Sequence, residues 1–405
     1  MERHFDSIIV GAGPAGSTAA ILLAHAGWRV ALMEKHLFPR RKVCGECIAA
    51  SNLPLLDTLG IGAAFDALAG PELRQVALMH GTCSVEAKLP GLDGSHLRFG
   101  RALGRGTLDT LLLEQARKSG VQVLQPWTLQ GIEGQPGQWR VQCKDLQNQV
   151  ATTLSAPIAI DAHGSWERFP FERSQQPLRA SDLLAFKANF VGALLPRGLL
   201  PVLSFEGGYG GMVMADRETL TLACCIRRDR LAALRRKYPG MAAGGVVELM
   251  LRQSCSGVDA ALIHASRAGA WLAAGPLRTG IRIRSDDAVF RIGNAAAESH
   301  PIIGEGMSMA FQSAWLLCTH LIGTDTLQRL PNREWQRAVG KSYAQDWNLE
   351  FMQRMHLASV FAHVAMRPAA FSLLMRLAGA WPRLLPLGAT LGGKTRFITT
   401  TRRTA

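Results

Sequence analysis

The 405 residues suffice for two intertwined domains, and the 48% apolar content with only 7% aromatics excludes a repeat array, a disulfide scaffold and a disordered chain. The formal charge of +14 is uneven: no Asp or Glu follows Glu350, whereas Arg354, Arg367, Arg376, Arg383, Lys394, Arg396, Arg402 and Arg403 do. The cysteines are scattered and read as reduced thiols in a cytoplasm, no long uninterrupted apolar run marks a membrane span, and no fold motif for nucleic acid accompanies the charge, so nucleic acid is not an expected partner.

The chain opens with the apolar run Ser7-Ile8-Ile9-Val10, a glycine-rich turn, a helical stretch from Ser17 to Ala26 stopped by Gly27, and a second apolar run from Trp28 to Met33 that closes at Glu34. This spells one β-α-β unit of a parallel sheet. Inside it, Gly11-Ala12-Gly13-Pro14-Ala15-Gly16 satisfies G-x-G-x-x-G between a strand and a helix. Gly11 permits the tight turn, Gly13 lets backbone approach a pyrophosphate, and Gly16 allows close helix packing, while the helix start supplies amide donors. Glu34, at the end of the second strand, is placed to accept hydrogen bonds from ribose hydroxyls, which favours FAD or NAD over a 2′-phosphorylated nucleotide.

Further on, Leu108 to Lys118 reads as a helix stopped by Gly120, followed by a strand from Val121 to Leu124. Trp139 to Cys143 alternates like an exposed strand, and Ala156 to Ile160 reads as a buried one before the turn at His163-Gly164-Ser165. From about 170 to 275 the pattern is strands with little α/β alternation, such as Leu183 to Phe190 and Leu220 to Cys225, around the cluster Gly207-Gly208-Tyr209-Gly210-Gly211. A strand from Ala288 to Ile292, a glycine turn and a helix from Gly306 to His320 restore the first pattern, and 331–405 reads as helical.

Three segments carry a resemblance. Phe38-Pro39-Arg40-Arg41-Lys42-Val43-Cys44-Gly45, Arg105-Gly106-Thr107-Leu108-Asp109, and Ile292-Gly293-Asn294-Ala295-Ala296 followed by Pro301-Ile302-Ile303-Gly304-Glu305-Gly306-Met307 resemble, in that order, segments of the geranylgeranyl-reductase-like branch of the flavoproteins related to para-hydroxybenzoate hydroxylase. That superfamily also includes flavin halogenases. The resemblance implies an α/β glutathione-reductase-like Rossmann domain binding FAD through 1–70, 100–168 and 276–330, an inserted antiparallel-sheet substrate domain from 71–99 and 169–275, and a C-terminal helical region, 331–405. With the opening motif it implies cofactor contacts from Gly11, Gly13, Pro14, Ala15, Gly16, Glu34, Lys35, Arg41, Cys44, Gly45, Arg105, Gly293, Asn294, Pro301, Gly304, Gly306 and Met307. The Gly304-Glu305-Gly306 turn at a helix start would aim amides at the flavin pyrimidine edge. Two positions depart from the family: Asn294 stands where Asp is usual, and His163 occupies the place of an acid in a segment that serves FAD and NAD(P)H, which bears on NAD(P)H as electron donor.

Cys44 and Cys47 form a C-x-x-C, a pattern of thiol redox pairs and half zinc sites, but no second pair follows at zinc-finger spacing. Cys44 is better read as part of the flavin segment and Cys47 as packing. His300, expected at the mouth of the flavin site, is the candidate proton donor, weighed against a plain loop histidine. Tyr209 reads either as substrate-facing or as a hairpin feature. The functional expectation is an FAD-dependent oxidoreductase modifying an apolar isoprenoid, polyketide or phenolic lipid, with a reductase slightly ahead of a monooxygenase working through a C4a-hydroperoxide. No W-x-W-x-I-P segment is present, so halogenation ranks lower. A non-catalytic flavoprotein-fold partner ranks with it. The basic, apolar tail reads either as a peripheral membrane contact or as a solvated face of a helical cap.

Overall fold

A computed structural model describes residues 3–92, 97–165, 177–323 and 332–394; Arg396, Arg402 and Arg403 lie outside the described residues. Its centre is a five-stranded parallel sheet in the order Phe290–Arg291, Ile158–Asp161, Ser7–Val10, Val30–Met33, Gln122–Leu124. These strands are continuous apolar runs because both sheet faces are covered. On one face lie the helices Pro14–His25, Arg105–Lys118 and Gly306–Ile322, with Ile9, Ile21, Leu32, Leu112, Phe311 and Leu317 fully buried between the layers. On the other lies the meander Trp127–Gln135, Gln138–Asp145, Ala151–Ala156, which seals Ile8 and Ala31 under Trp139 and Val141.

The glycine turn is sterically closed to anything larger. Gly11 sits at φ +103°, and a Cβ there would lie 2.5 Å from the Ala162 carbonyl oxygen; a Cβ on Gly16 would lie 1.8 Å from the Gly11 oxygen. Pro14 occupies the first turn of its helix, where a missing N–H costs nothing.

A second, eight-stranded sheet runs Ser266–Arg267, Leu183–Val191, Thr219–Arg227, Gly208–Ala215, Leu199–Phe205, Gln75–His80, Cys83–Lys88, with Leu272–Ala274 paired onto Leu183–Val191. Its pairings are antiparallel, as expected, except one. Leu199–Phe205 runs parallel to Gln75–His80, because the chain enters the sheet on two separate passes and the strands meeting at the seam point the same way. The stretch between 170 and 275 is also not all strand: Arg228–Lys237, Ala243–Ser254 and Ser256–Leu262 are helices. Val247, Met250 and Leu251 recur at helical spacing and bury against Phe186, Leu203, Leu222 and Ile226 on one sheet face.

The opposite face, carrying Val76, Leu78, Ala185, Val202 and Tyr209, meets the C-terminal helices through Ala362, Phe371 and Met375. The 33-residue helix Arg333–Ala365 begins with the Asn332 side chain accepting from the Trp335 amide and is followed, across a 111° bend, by Pro368–Ala380 and then Leu384–Leu391. No single described helix is long and apolar enough to cross a membrane. Two cations of the expected basic tail face inward: Arg354 is buried and donates to Gln312 Oε1 at 2.8 Å, and Lys394 meets the buried Glu305 at 2.9 Å. They answer buried acceptors of the core rather than solvent.

Gly16→Ala is expected to lower stability by about 1–3 kcal/mol, the usual cost of overpacking. Urea denaturation measures it. Gly13→Ala, whose Cβ comes no nearer than 3.7 Å to Arg105, should stay within about 0.5 kcal/mol of the parent.

Candidate functional site

One cavity of about 850 Å³ runs from the glycine turn, past Gly293 and Gly304, to the apolar face beneath the C-terminal helices. At its first end, Gly11, Gly13, Pro14 and Ala15 line the wall. The Glu34 carboxylate is held there by the Ala12 amide at 3.0 Å, the His36 amide at 2.9 Å and Arg40 at 3.4 Å. Arg105, also on the wall, points two guanidinium nitrogens at Asp109, both at 2.7 Å. Arg40 and Lys42 complete the group, so three cations face two carboxylates beside a helix N-terminus. Burial, aided by Arg105 and Arg40, lowers the Lys42 ammonium to about 8. Surplus positive charge, exposed glycine backbone and a fixed carboxylate together fit the pyrophosphate and ribose of a dinucleotide.

Arg41, expected among the cofactor contacts, does not line the cavity; it donates to Asn189 Oδ1 at 3.2 Å on the second sheet. Its neighbours Arg40 and Lys42 line the cavity instead. Lys35 lines the cavity as well.

Midway, Gly293 adopts φ +58°, and a Cβ there would lie 2.9 Å from the Ala15 side chain, so two distant glycine segments abut. Asn294 lines the cavity and donates to Ser165 Oγ at 2.7 Å. The His163 ring, also on the wall, bonds Asp161 through Nδ1. Pro301, Gly304, Gly306 and Met307 line the next stretch, where the 17-residue helix Gly306–Ile322 begins and aims its first amides inward. Here Lys394 reaches Glu305, and its segment is anchored by Ser51, whose amide donates to the Lys394 carbonyl at 3.1 Å and whose hydroxyl donates to the Gly393 carbonyl at 3.2 Å. Nothing in the sequence pointed to Lys394, since the contact closes across almost the whole chain.

Cys44, Gly45, Glu46 and Cys47 form a side wall. Glu46 holds φ +61°, an unusual conformation for a side-chain-bearing residue, and its buried carboxylate accepts from Lys187 Nζ, Thr221 Oγ1 and the Arg105 amide. This cluster was missed because Lys187, within an alternating strand, reads as an outward residue. Burial raises the Cys47 thiol, which disfavours the thiolate a redox pair requires, and both cysteines are free.

The far end is apolar, lined by Val76, Leu78, Leu200, Val202, Phe361 and Leu374. Tyr209 is buried on this wall, and its hydroxyl hydrogen-bonds His300 Nδ1 at 3.0 Å. His300 itself does not line the cavity and is buried beside His363, their rings 5.7 Å apart. Burial, helped by His363, lowers His300 to about 4, so it is neutral at pH 7. A neutral ring removed from the cavity corrects the picture of a proton donor at the mouth.

Residues 4–178 match the family described as FAD binding domain. The conditioned medium factor receptor 1 of Dictyostelium discoideum is 26% identical over 373 residues, covering 86% of this chain and 68% of the relative. The tryptophan 2-halogenase of Chondromyces crocatus is 29% identical over 232 residues, 55% of this chain, and the chain spans 43% of its length. Among solved structures, the myxobacterial chondrochloren halogenase superposes with a TM-score of 0.77 at 19% identity, covering 96% of this chain and 91% of that one. Residues 4–178 are thus similar to an FAD-binding domain, and the chain shares its fold with an FAD-dependent halogenase of known structure. The narrower geranylgeranyl-reductase-like branch is not singled out.

Two outcomes follow. Above pH 8 the empty protein loses the Lys42 charge that an anion would retain, so FAD affinity, measured by fluorescence titration, should fall as pH rises through about 8; Lys42→Met should weaken binding at pH 7 by about 1.5–3 kcal/mol and flatten that dependence. Lys187→Met strands the Glu46 carboxylate and should cost about 3–5 kcal/mol in urea denaturation, with Lys187→Met/Glu46→Gln recovering much of the loss.

Proposed function

We propose that this chain, a flavoprotein of the FAD-dependent hydroxylase and halogenase superfamily, is a monooxygenase acting on an elongated apolar molecule of the isoprenoid, polyketide or phenolic-lipid kind. The observation that carries the reading is the undivided cavity: the cofactor cradle and the apolar chamber are one space, so substrate can meet the reacting end of the cofactor without a diffusing oxidant. Bound FAD would supply the redox chemistry, passing electrons to oxygen.

The chain's own residues do the rest. Gly11, Gly13, Arg40, Lys42 and Arg105 would hold the pyrophosphate, and Glu34 the ribose. Asn294 offers an amide to the sugar-alcohol chain, and the amides opening Gly306–Ile322 stabilise negative charge at the far edge of the ring system. Leucines and Phe361 exclude water and orient the substrate by shape. His300 is off the cavity wall and could serve a reductase only through the Tyr209 hydroxyl bonded to it. What counts against the reductase expectation is that halogenases and a monooxygenase stand among the relatives.

A second reading, halogenation, is favoured by one feature: Lys394 lines the cavity with Glu305 at 2.9 Å, an amine and a carboxylate side by side. The electron donor remains NAD(P)H or a separate flavin reductase, and His163 bonded to Asp161 is the place where a family acid would stand.

The test uses holoprotein reduced by dithionite under nitrogen, mixed with an alkylphenol or isoprenoid quinol and then with ¹⁸O₂. One heavy oxygen in the organic product is expected. A product formed only with bromide or chloride, and lost in Lys394→Met, supports the second reading instead. Saturation of a double bond before oxygen is admitted overturns both.

A further inference from the structure

The C-terminal helices leave an apolar face uncovered. Leu373, Leu377 and Trp381 follow one another at four-residue spacing along Pro368–Ala380 and its end, and Leu384, Leu387 and Leu391 form a similar stripe along Leu384–Leu391. All six are exposed, Trp381 by 63% and Leu387 by 55%. Each stripe is what an interfacial helix presents, and large side chains of this kind are not left in water without a use.

A second observation ties this face to the site. Leu357, Leu384 and Leu391 are exposed and also line the cavity, so the cavity's apolar end opens between Arg333–Ala365 and Leu384–Leu391, on the same face. A third is charge. Arg367, Arg376 and Arg383 are exposed among these stripes, and from 351 to 394 the sequence contains no Asp or Glu. Apolar stripes carrying cations and no anions complement a surface that is apolar within and negative outside.

We infer that this face docks on an anionic lipid bilayer and that the cavity mouth opens into it, so that an apolar substrate enters sideways from the membrane without crossing water. The docking does not depend on the proposed function; only the nature of the cargo does. Pro368–Ala380 lies along the bilayer and does not continue Arg333–Ala365 across it, consistent with the 111° turn between these two helices. Leu377 and Leu387 enter the acyl region, Trp381 sits at its edge, and the three arginines meet phosphates.

The experiment is co-sedimentation of the full chain with vesicles of phosphatidylcholine, with and without phosphatidylglycerol. Binding is expected to the anionic vesicles, to fall with added salt, and to weaken roughly tenfold or more in Leu377→Glu/Leu387→Glu. Thermal melting checks that this double variant folds. Should it unfold, brominated lipids decide on the parent chain: they should quench tryptophan emission, and the quenching should vanish in Trp381→Phe. Binding no greater than to neutral vesicles, an unaffected double variant, or emission untouched by brominated lipid overturns the inference. So does a parent protein that binds no vesicles and self-associates through this face, with the double variant running smaller. FAD uptake, followed separately, reports on the flavin reading, so failure of one is distinguishable from failure of the other.

Discussion

The carboxylate of Glu46 holds the segment of Cys44 to Cys47 against two strands of the eight-stranded sheet through Lys187 and Thr221, and against the start of Arg105–Lys118 through a backbone amide. The contact joins the eight-stranded sheet to a cavity-wall segment and to a helix packed on the parallel sheet. A buried ion pair contributes little net stability, because desolvation offsets the attraction, yet it fixes geometry tightly since either partner alone is costly. The left-handed backbone at Glu46 indicates that the chain bends to make this contact. With it made, the cofactor cradle and the apolar chamber share a wall; without it, they would be two clefts on two units.

The cradle also rests on a steric constraint. Gly11 and Gly16 abut, Gly11 presses on Ala162, and Gly293 presses on Ala15, so three stretches distant in sequence meet with no side chain between them. Whatever nucleotide lies there faces backbone amides rather than side chains. Affinity for its phosphates then depends on dipoles and on the few cations that reach in, chiefly Arg40, Lys42 and Arg105.

These backbone-driven features were legible in the sequence. Glycines that must be glycines, an acid closing a strand, and a helix opened by a glycine turn are local patterns, so the parallel sheet followed from them, whereas the approach of residues 293–307 to the first turn was implied by the family resemblance. Pairings made across long separations were not legible. Glu46 with Lys187, and Glu305 with Lys394, join residues that look ordinary in their own neighbourhoods. The direction of Arg41 failed for a related reason, since its partner Asn189 lies on a distant strand of the second sheet. The helices between 228 and 262 were obscured by Gly-Gly and Ala-rich flanks, though Val246, Val247, Met250 and Leu251 held a helical signal. His300 was weighed as a proton donor or a plain loop histidine, and its burial beside His363 was not legible because that residue sits on a helix read only as generic.

The anchoring of Gly393 and Lys394 by Ser51 joins positions 342 residues apart in the case of Ser51 and Gly393. Protein synthesis is vectorial, so the glycine turn and Ser51 emerge well before the Gly393 and Lys394 segment that Ser51 anchors. Until that later segment exists, the part of the cavity wall built by Gly392 and Lys394 is missing, so this end of the site is completed after the glycine turn has formed.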